Sequence, residues 1–298
     1  MKYSFKHIFL SVISKNSTEK TLDTLKEYNR ILENAKIETS IKLNRFKYLC
    51  LNCKYIDEIL CSDLSYISLE DIVSKEILDS IHLANIDYPS EDTIIEQLFI
   101  SNKIIQNIEN NCKNYNRYMN VVKDLNNFLK DCKIDYSNVE RPYFHFSKDK
   151  KGSPIAFFCH INSPDFSYTT NNFKIYGFYG EYKSLSQKGN YLQMTLGYSN
   201  NFTSVLELKT LEIGKEKDSD RGATALQYLI KTLIPELNHI LDKKLKEGNL
   251  SLSKEFKTQM LYSRSNSISE GDISDDRINF YKKNGFTIKG NSFYLKLQ

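Results

Sequence analysis

Apolar residues along the first 140 positions recur at helical spacing. In TLDTLKEYNRILENA, Leu22, Leu25, Ile31, Leu32 and Ala35 share one stripe. In SLEDIVSKEILDSI, Ser68 is an N-cap with Asp71 three residues on, and Ile72, Ile77, Leu78 and Ile81 follow. PSEDTIIEQLF offers Ser90 as a cap, with Glu91 and Asp92 at the positive end of the helix dipole. Tyr118, Val122, Leu125, Phe128, Leu129 and Cys132 space a further helix. Near Arg141-Pro142 the pattern changes. SPIAFFCHI, NFKIYGFYGEY, NYLQMTLGYS and TSVLELKTLEI are rich in β-branched and aromatic residues and are separated by turn formers, as successive strands would be. A long helical run from Arg221 follows, with Leu226, Leu229, Ile230, Leu233 and Leu237 on its apolar face and Pro235 set to kink or split it. TQMLYSRS reads as one more strand, a short helix ends at Gly285, and FTIKGNSFYLKL closes as a strand pair around Gly290-Asn291. The predicted order of this half is β-β-β-β-α-β-α-β-β.

Two local details sharpen that reading. In TSVLELKTLEI, Leu206 and Leu208 share one face by the period of two, whereas Leu211 and Ile213 fall on the other. A β-bulge near Lys209-Thr210 produces such a slip, and so does a strand buried on both faces. In INFYKKNGF, Gly285 stands where a left-handed helix cap belongs, and Phe286 can fold back on the last turn.

Composition places the chain among globular proteins. It has 298 residues, 40% hydrophobic and 26% charged, enough for two domains with cores of their own. No run approaches the eighteen or so apolar residues of a membrane span. The opening MKYSFKHIFLSVISKNS reads as a first strand or helix rather than a signal peptide. Residues 1–140 hold 18 Lys+Arg against 21 Asp+Glu, and residues 141–298 hold 23 against 16. The basic half suits an anionic ligand, but no dense basic run points to nucleic acid. Six scattered cysteines include one C-x-x-C, Cys50 and Cys53, with no second pair or nearby His to complete a zinc site. Reduced core thiols in a cytoplasmic protein, and no metal, are the expectation. Export without a cleavable signal stays open.

DRGATAL opening the long helix and FYKKNGF near the end make residues 141–298 resemble the GNAT superfamily of acetyl-CoA-dependent N-acyltransferases. The resemblance implies an α+β chain: a mostly helical region over 1–140, then a GNAT-like mixed β-sheet domain flanked by helices over 141–298. It implies a bulged strand with Leu211 and Ile213 along the cofactor, and pyrophosphate binding by backbone N–H groups of Arg221, Gly222, Ala223, Thr224 and Ala225. Arg221 would add a charged fork, since a helix N-terminus free of bulky side chains suits phosphate. Tyr281 would protonate the leaving sulfur, and Glu212 or Glu207 would take the amine proton. Family turns usually carry more glycine than R-G-A-T-A-L.

The expected activity is transfer of an acetyl group from acetyl-CoA to an amine, in a protein, peptide or small molecule, by direct attack. The alternative is a non-catalytic interaction protein on a degenerate acetyltransferase scaffold, binding its partner through the helical half. His160 and His239 are expected to be packed rather than catalytic.

Overall fold

The computed structural model describes residues 15–84, 92–135, 139–161, 172–187, 190–199, 202–213, 220–246, 260–264, 275–290 and 292–297. The chain is α+β, with a helical N-terminal region ahead of a sheet. It divides into two compact units, Met1–Tyr48 with Ser65–Met119, and Leu49–Leu64 with Asn120–Gln298. Residues 1–14, the opening expected as a strand or helix, lie outside the described residues, as do Ser90 and Glu91.

The first unit is built on two long helices. Helix α1 runs Lys15–Asn52 and helix α5 runs Asp92–Asp131, the latter belonging to this unit as far as Met119. Both are longer than the separate helices the apolar stripes suggest, because no Gly or Pro interrupts either stretch. Buried positions on α1 step by four and three: Leu25, Asn29, Leu32, then Thr39, Leu43, Phe46. Those on α5 do the same through Ile94, Leu98, Ser101, Ile105, Ile108, Cys112 and Tyr115. This is the heptad seam of packed helices. Asn29 donates to Gln97 Oε1 at 2.8 Å, Asn111 donates to Thr39 Oγ1 at 3.2 Å, and Phe46 meets Tyr115 at 5.1 Å. Partners therefore advance together, and the two helices run parallel.

The expected helix over 68–81 is two. Ser68 and Asp71 form the capping box, Ser68 N–H to Asp71 Oδ2 at 2.9 Å and Asp71 N–H to Ser68 Oγ at 3.2 Å. But α3 is only Leu69–Ile72, because Val73 turns extended at φ −118° and ψ 129°. Helix α4, Lys75–Ala84, then starts afresh, with Ile77 and Leu78 N–H donating to Ser74 O.

The second unit begins with Leu49–Leu64, which holds the one-turn helix α2, Asp57–Leu60. Its core is a sheet of eight described strands in the order β1-β2-β3-β4-β5-β6-β8-β7. They are β1 Phe144–Lys148, β2 Pro154–Ile161, β3 Asn172–Phe178, β4 Leu192–Ser199, β5 Phe202–Glu212, β6 Met260–Arg264, β7 Thr287–Lys289 and β8 Ser292–Lys296. Strands β1 to β5 are antiparallel neighbours, and β5 meets β6 in parallel. β1 was not among the expected strands. Its Phe144/Phe146 alternation is short and lies directly behind Pro142.

Helix α6, Arg221–Tyr228, continues through a π-helical turn, Leu229–Leu233, into α7, Ile234–Lys246. Ile234 N–H reaches back five residues to Leu229 O. That wide turn admits Pro235, which has no N–H of its own, so the run continues instead of breaking. Ala225, Leu226, Leu229, Leu233 and Leu237 bury against one sheet face, among Ile155, Phe157, Ile175, Met194, Leu206 and Leu208. On the opposite face the last turns of α5 insert Phe128, which meets Tyr176 at 4.4 Å and Phe178 at 5.0 Å. The sheet is thus covered on both faces at its β1–β3 end, which is why β2 reads as an unbroken apolar run.

Candidate functional site

The phase slip in β5 is a bulge. β4 pairs Leu196 with Leu208 and Thr195 with Thr210, so Lys209 is the extra residue. The bulge puts Leu206, Leu208 and Leu211 on one face, toward α6. By the same register Glu207, opposite Gly197, and Glu212, opposite Gln193, share the other face. Without a bulge, two residues five apart would point opposite ways.

The bulge also opens the sheet. β5 pairs with β6 only at Val205–Met260, Leu206–Leu261 and Glu207–Tyr262. Ser263 and Arg264 stay paired to β8, yet have no register partner on β5. Past Glu207 the two parallel strands therefore separate, and one edge of β5 from Leu208 onward is released from the ladder. Glu207 stands at the apex of this opening. Glu212 is exposed at the strand's far end, close enough to Tyr191 to help burial hold that phenol above its usual pKa.

Helix α6 starts at the open end of β5. Its N-cap, Asp220, sits in the left-handed region at φ 50° and makes no side-chain cap bond. Thr224 N–H and Thr224 Oγ1 both donate to Asp220 O, at 3.0 and 3.1 Å. The N–H groups of Arg221, Gly222 and Ala223 precede that first intrahelical bond and point out of the helix end. Ala225 is buried in the core. The Asp220 carboxylate lies 3.4 Å from Lys150 Nζ.

Arg221 takes a different course from the expected fork. Its side chain is 6% exposed. The guanidinium lies 3.6 Å over the Tyr179 ring, and its Nε is 3.9 Å from Asp149 Oδ2. Asp149 is in turn fixed by the β1–β2 turn, where Ser153 N–H donates to its Oδ1 at 2.8 Å. Burial raises the Tyr179 phenol to about 12, so it stays protonated beside the cation. Tyr179 leads into a turn held by Asp124 of α5, whose carboxylate accepts from Gly180 N–H at 2.7 Å and Tyr182 N–H at 3.0 Å. Asp124, Asp149 and Tyr179 thus anchor the start of α6, and none was a candidate in the sequence. They lie 42 to 97 positions upstream of Arg221, so no local motif joins them to it.

Gly222 is a close-approach glycine. A Cβ there would fall 2.4 Å from Ile213 Cδ1 and 3.3 Å from Phe280 Cζ. The end of β5, the start of α6 and the FYKKNGF helix therefore converge at this point, with Ile213 itself 41% exposed.

Tyr281 lies on α8, Asp275–Lys283, and is 4% exposed. Its ring stacks on Phe293 of β8 at 4.2 Å. The helix closes by a Schellman motif: Phe286 N–H donates to Tyr281 O, and Gly285 N–H to Lys282 O, both at 3.0 Å, with Gly285 at φ 86°. The Phe286 ring meets Tyr281 at 5.1 Å, the apolar contact this motif favours. Tyr281 therefore has a structural task beside any chemical one.

The chain matches no protein-family model, no curated protein and no solved structure.

Elsewhere the described residues contain no group of three or more His, Cys, Asp or Glu that could hold a metal. Cys50 and Cys53 are buried free thiols, and burial raises the pKa of both. Arg141 donates to Cys53 O at 2.7 Å and to Cys50 O at 2.5 Å, so within the second unit it holds residues 50–53 against the approach to strand β1. Cys61 is exposed. His160 is half-buried beside Phe158, whereas His239 is exposed rather than packed as expected, on the outer face of α7. Among the described residues, no helix is long and apolar enough to cross a membrane.

Proposed function

We propose that residues 141–298 form a GNAT-type N-acetyltransferase that moves an acetyl group from acetyl-CoA to an amine. The observation that carries this reading is the bulge at Lys209 with the β5–β6 opening beside it. It supports an acyl-thioester site in three ways. The released edge of β5 offers backbone N–H groups to polarise a carbonyl oxygen. The N–H groups of Arg221, Gly222 and Ala223 at the positive end of the helix dipole suit a pyrophosphate at the head of the same opening. Glu207 at the apex, on the face away from α6, can take a proton from an amine arriving on that side. Acetyl-CoA, when bound, supplies the activated carbonyl. Tyr281, over the β8 side, holds a phenolic proton for the departing thiolate. Glu207 is the better-placed base, and Glu212 lines the amine's approach.

The backbone fits the donor better than the side chains do. Arg221 is committed to Tyr179 and Asp149, and the space above Gly222 is taken by Ile213. These contacts, together with the packing of Tyr281, favour the second reading, an acetyltransferase scaffold kept for binding a protein partner without turnover.

Thermal unfolding with acetyl-CoA separates the two. At about 100 times its dissociation constant the donor stabilises the native chain by roughly 2.7 kcal/mol. Replacing Arg221 would disturb the core, so the informative variant is Ala223→Glu. It places a carboxylate in the first helical turn, where the dipole welcomes it, but where a pyrophosphate would have to sit. The acetyltransferase reading expects a shift in the parent and none in Ala223→Glu. A folded parent that does not respond leaves the scaffold reading.

A further inference from the structure

The heptad seam of α1 has a counterpart on the opposite side of the same helix. Ile37, Ile41 and Tyr48 are 53, 61 and 66% exposed, and Asn44 is exposed between them. Their steps are four, three and four, so they form a second continuous seam roughly opposite Thr39, Leu43 and Phe46. Apolar residues scattered on a surface need no explanation, but three aligned at coiled-coil spacing do.

We infer that this seam docks against the same seam of a second copy of the chain, antiparallel. In that arrangement alternate seam positions face each other across a two-fold axis between residues 42 and 43. Ile37 meets the second copy's Tyr48, Ile41 meets its Asn44, and each contact recurs by symmetry. The flanking charges make the choice of occupant. Glu38 and Arg45 border the seam on one side, both exposed. Antiparallel pairing brings Glu38 of each copy to Arg45 of the other, giving two cross-copy ion pairs. A parallel pairing would instead set Glu33 against Glu38. The contact of Glu38 with Lys42 on its own helix, 3.9 Å and well exposed, is weak competition. The seam covers twelve residues, about 18 Å of helix, so the association is expected to be weak, on the order of tens of micromolar.

Sedimentation of the full chain from about 1 to 200 µM tests this. The expected result is a rise from 34.8 kDa toward twice that mass. Ile41→Glu, at an exposed position, should leave the fold intact and abolish the rise. Glu38→Arg should weaken dimerisation about tenfold, and Glu38→Arg with Arg45→Glu should restore it. In a Cys61→Ser background, a mixture of Ile37→Cys and Tyr48→Cys chains should cross-link one to the other. A chain that stays monomeric throughout overturns the inference. So does a dimer indifferent to Ile41→Glu, a charge swap that fails to rescue, or cross-links formed only between identical variants.

Discussion

At the scale of single residues, the proposed chemistry and the packing of the fold draw on the same side chains. Tyr281 is the C3 residue of a Schellman cap and is stacked on Phe293, so its ring matters to the fold whatever its oxygen does. Tyr281→Phe separates the two uses. The ring contacts survive, so the urea midpoint should fall by no more than the net worth of one hydrogen bond, about 0.5–1.5 kcal/mol. If the phenol donates the proton, acetyl transfer measured by thiol release should fall about 100-fold or more. Gly222 poses the same question differently. Gly222→Ala would drive a methyl into Ile213, and overpacking of this kind costs about 1–3 kcal/mol. Because the clash is with the far end of the Ile213 side chain, Ile213→Ala in the same chain should recover most of the loss. Denaturant midpoints of the two singles and the double form a cycle whose coupling reads the contact directly. The glycine and the tyrosine were legible in the sequence. What fills the space above the one and beside the other was not, since both contacts come from distant strands.

At the scale of elements, legibility followed the reach of the signal. The phase slip was visible within eight residues, although a strand buried on both faces would leave the same trace, and the Gly285 cap within five, because both are local geometry. The long helices were read as pieces, since a stripe drifts in and out of a short window while the heptad seam shows only against its partner helix. Val73 broke a helix that the apolar spacing alone would have carried through. The anchoring of α6 by Asp149, Tyr179 and Asp124 left no trace in sequence spacing. The polar pair in the first unit's seam supports a test at this scale. Asn29 donates to Gln97 and accepts from Ser101 Oγ, and it is 8% exposed. Asn29→Ala loses these bonds, and a longer one from Asn29 Nδ2 to Gln97 O at 3.4 Å, and opens a small gap between α1 and α5. The single Ser101 hydroxyl proton can then turn to Gln97 O, 2.9 Å away, so no donor is stranded. The expected cost is about 1–2 kcal/mol, read as a lowered urea midpoint with unchanged helix content at pH 7.

For the whole molecule, the buried titratable groups set stability against pH, and they pull in opposite directions. Burial raises Asp124 to about 6, against the attraction of the Tyr182, Gly180 and Glu181 N–H groups and with help from the Glu181 charge. The native state therefore binds this proton as pH falls through 6, while the unfolded chain waits until its ordinary value near 3.8. Over that window Asp124 makes the fold more stable as acid is added. His145 does the reverse. Stacked on Tyr228 and facing Arg141, it is held down to about 4, chiefly by burial, so the unfolded chain takes the proton first, near 6.5. Stability from His145 is lost as pH falls from 6.5 toward 4, and His160, lowered by burial and by Lys174, adds to that loss. The parent should accordingly show a shallow profile between pH 6.5 and 4.5. Asp124→Asn, which removes the opposing proton uptake but can still accept from the 180–182 turn, should lose stability more steeply over this range. His145→Gln should lose less. Urea midpoints at half-unit pH steps give the three slopes. If Asp124→Asn ran parallel to the parent, the buried carboxylate would already be paying no desolvation cost, and the tightness of the turn behind Tyr179 and Arg221 would need another source.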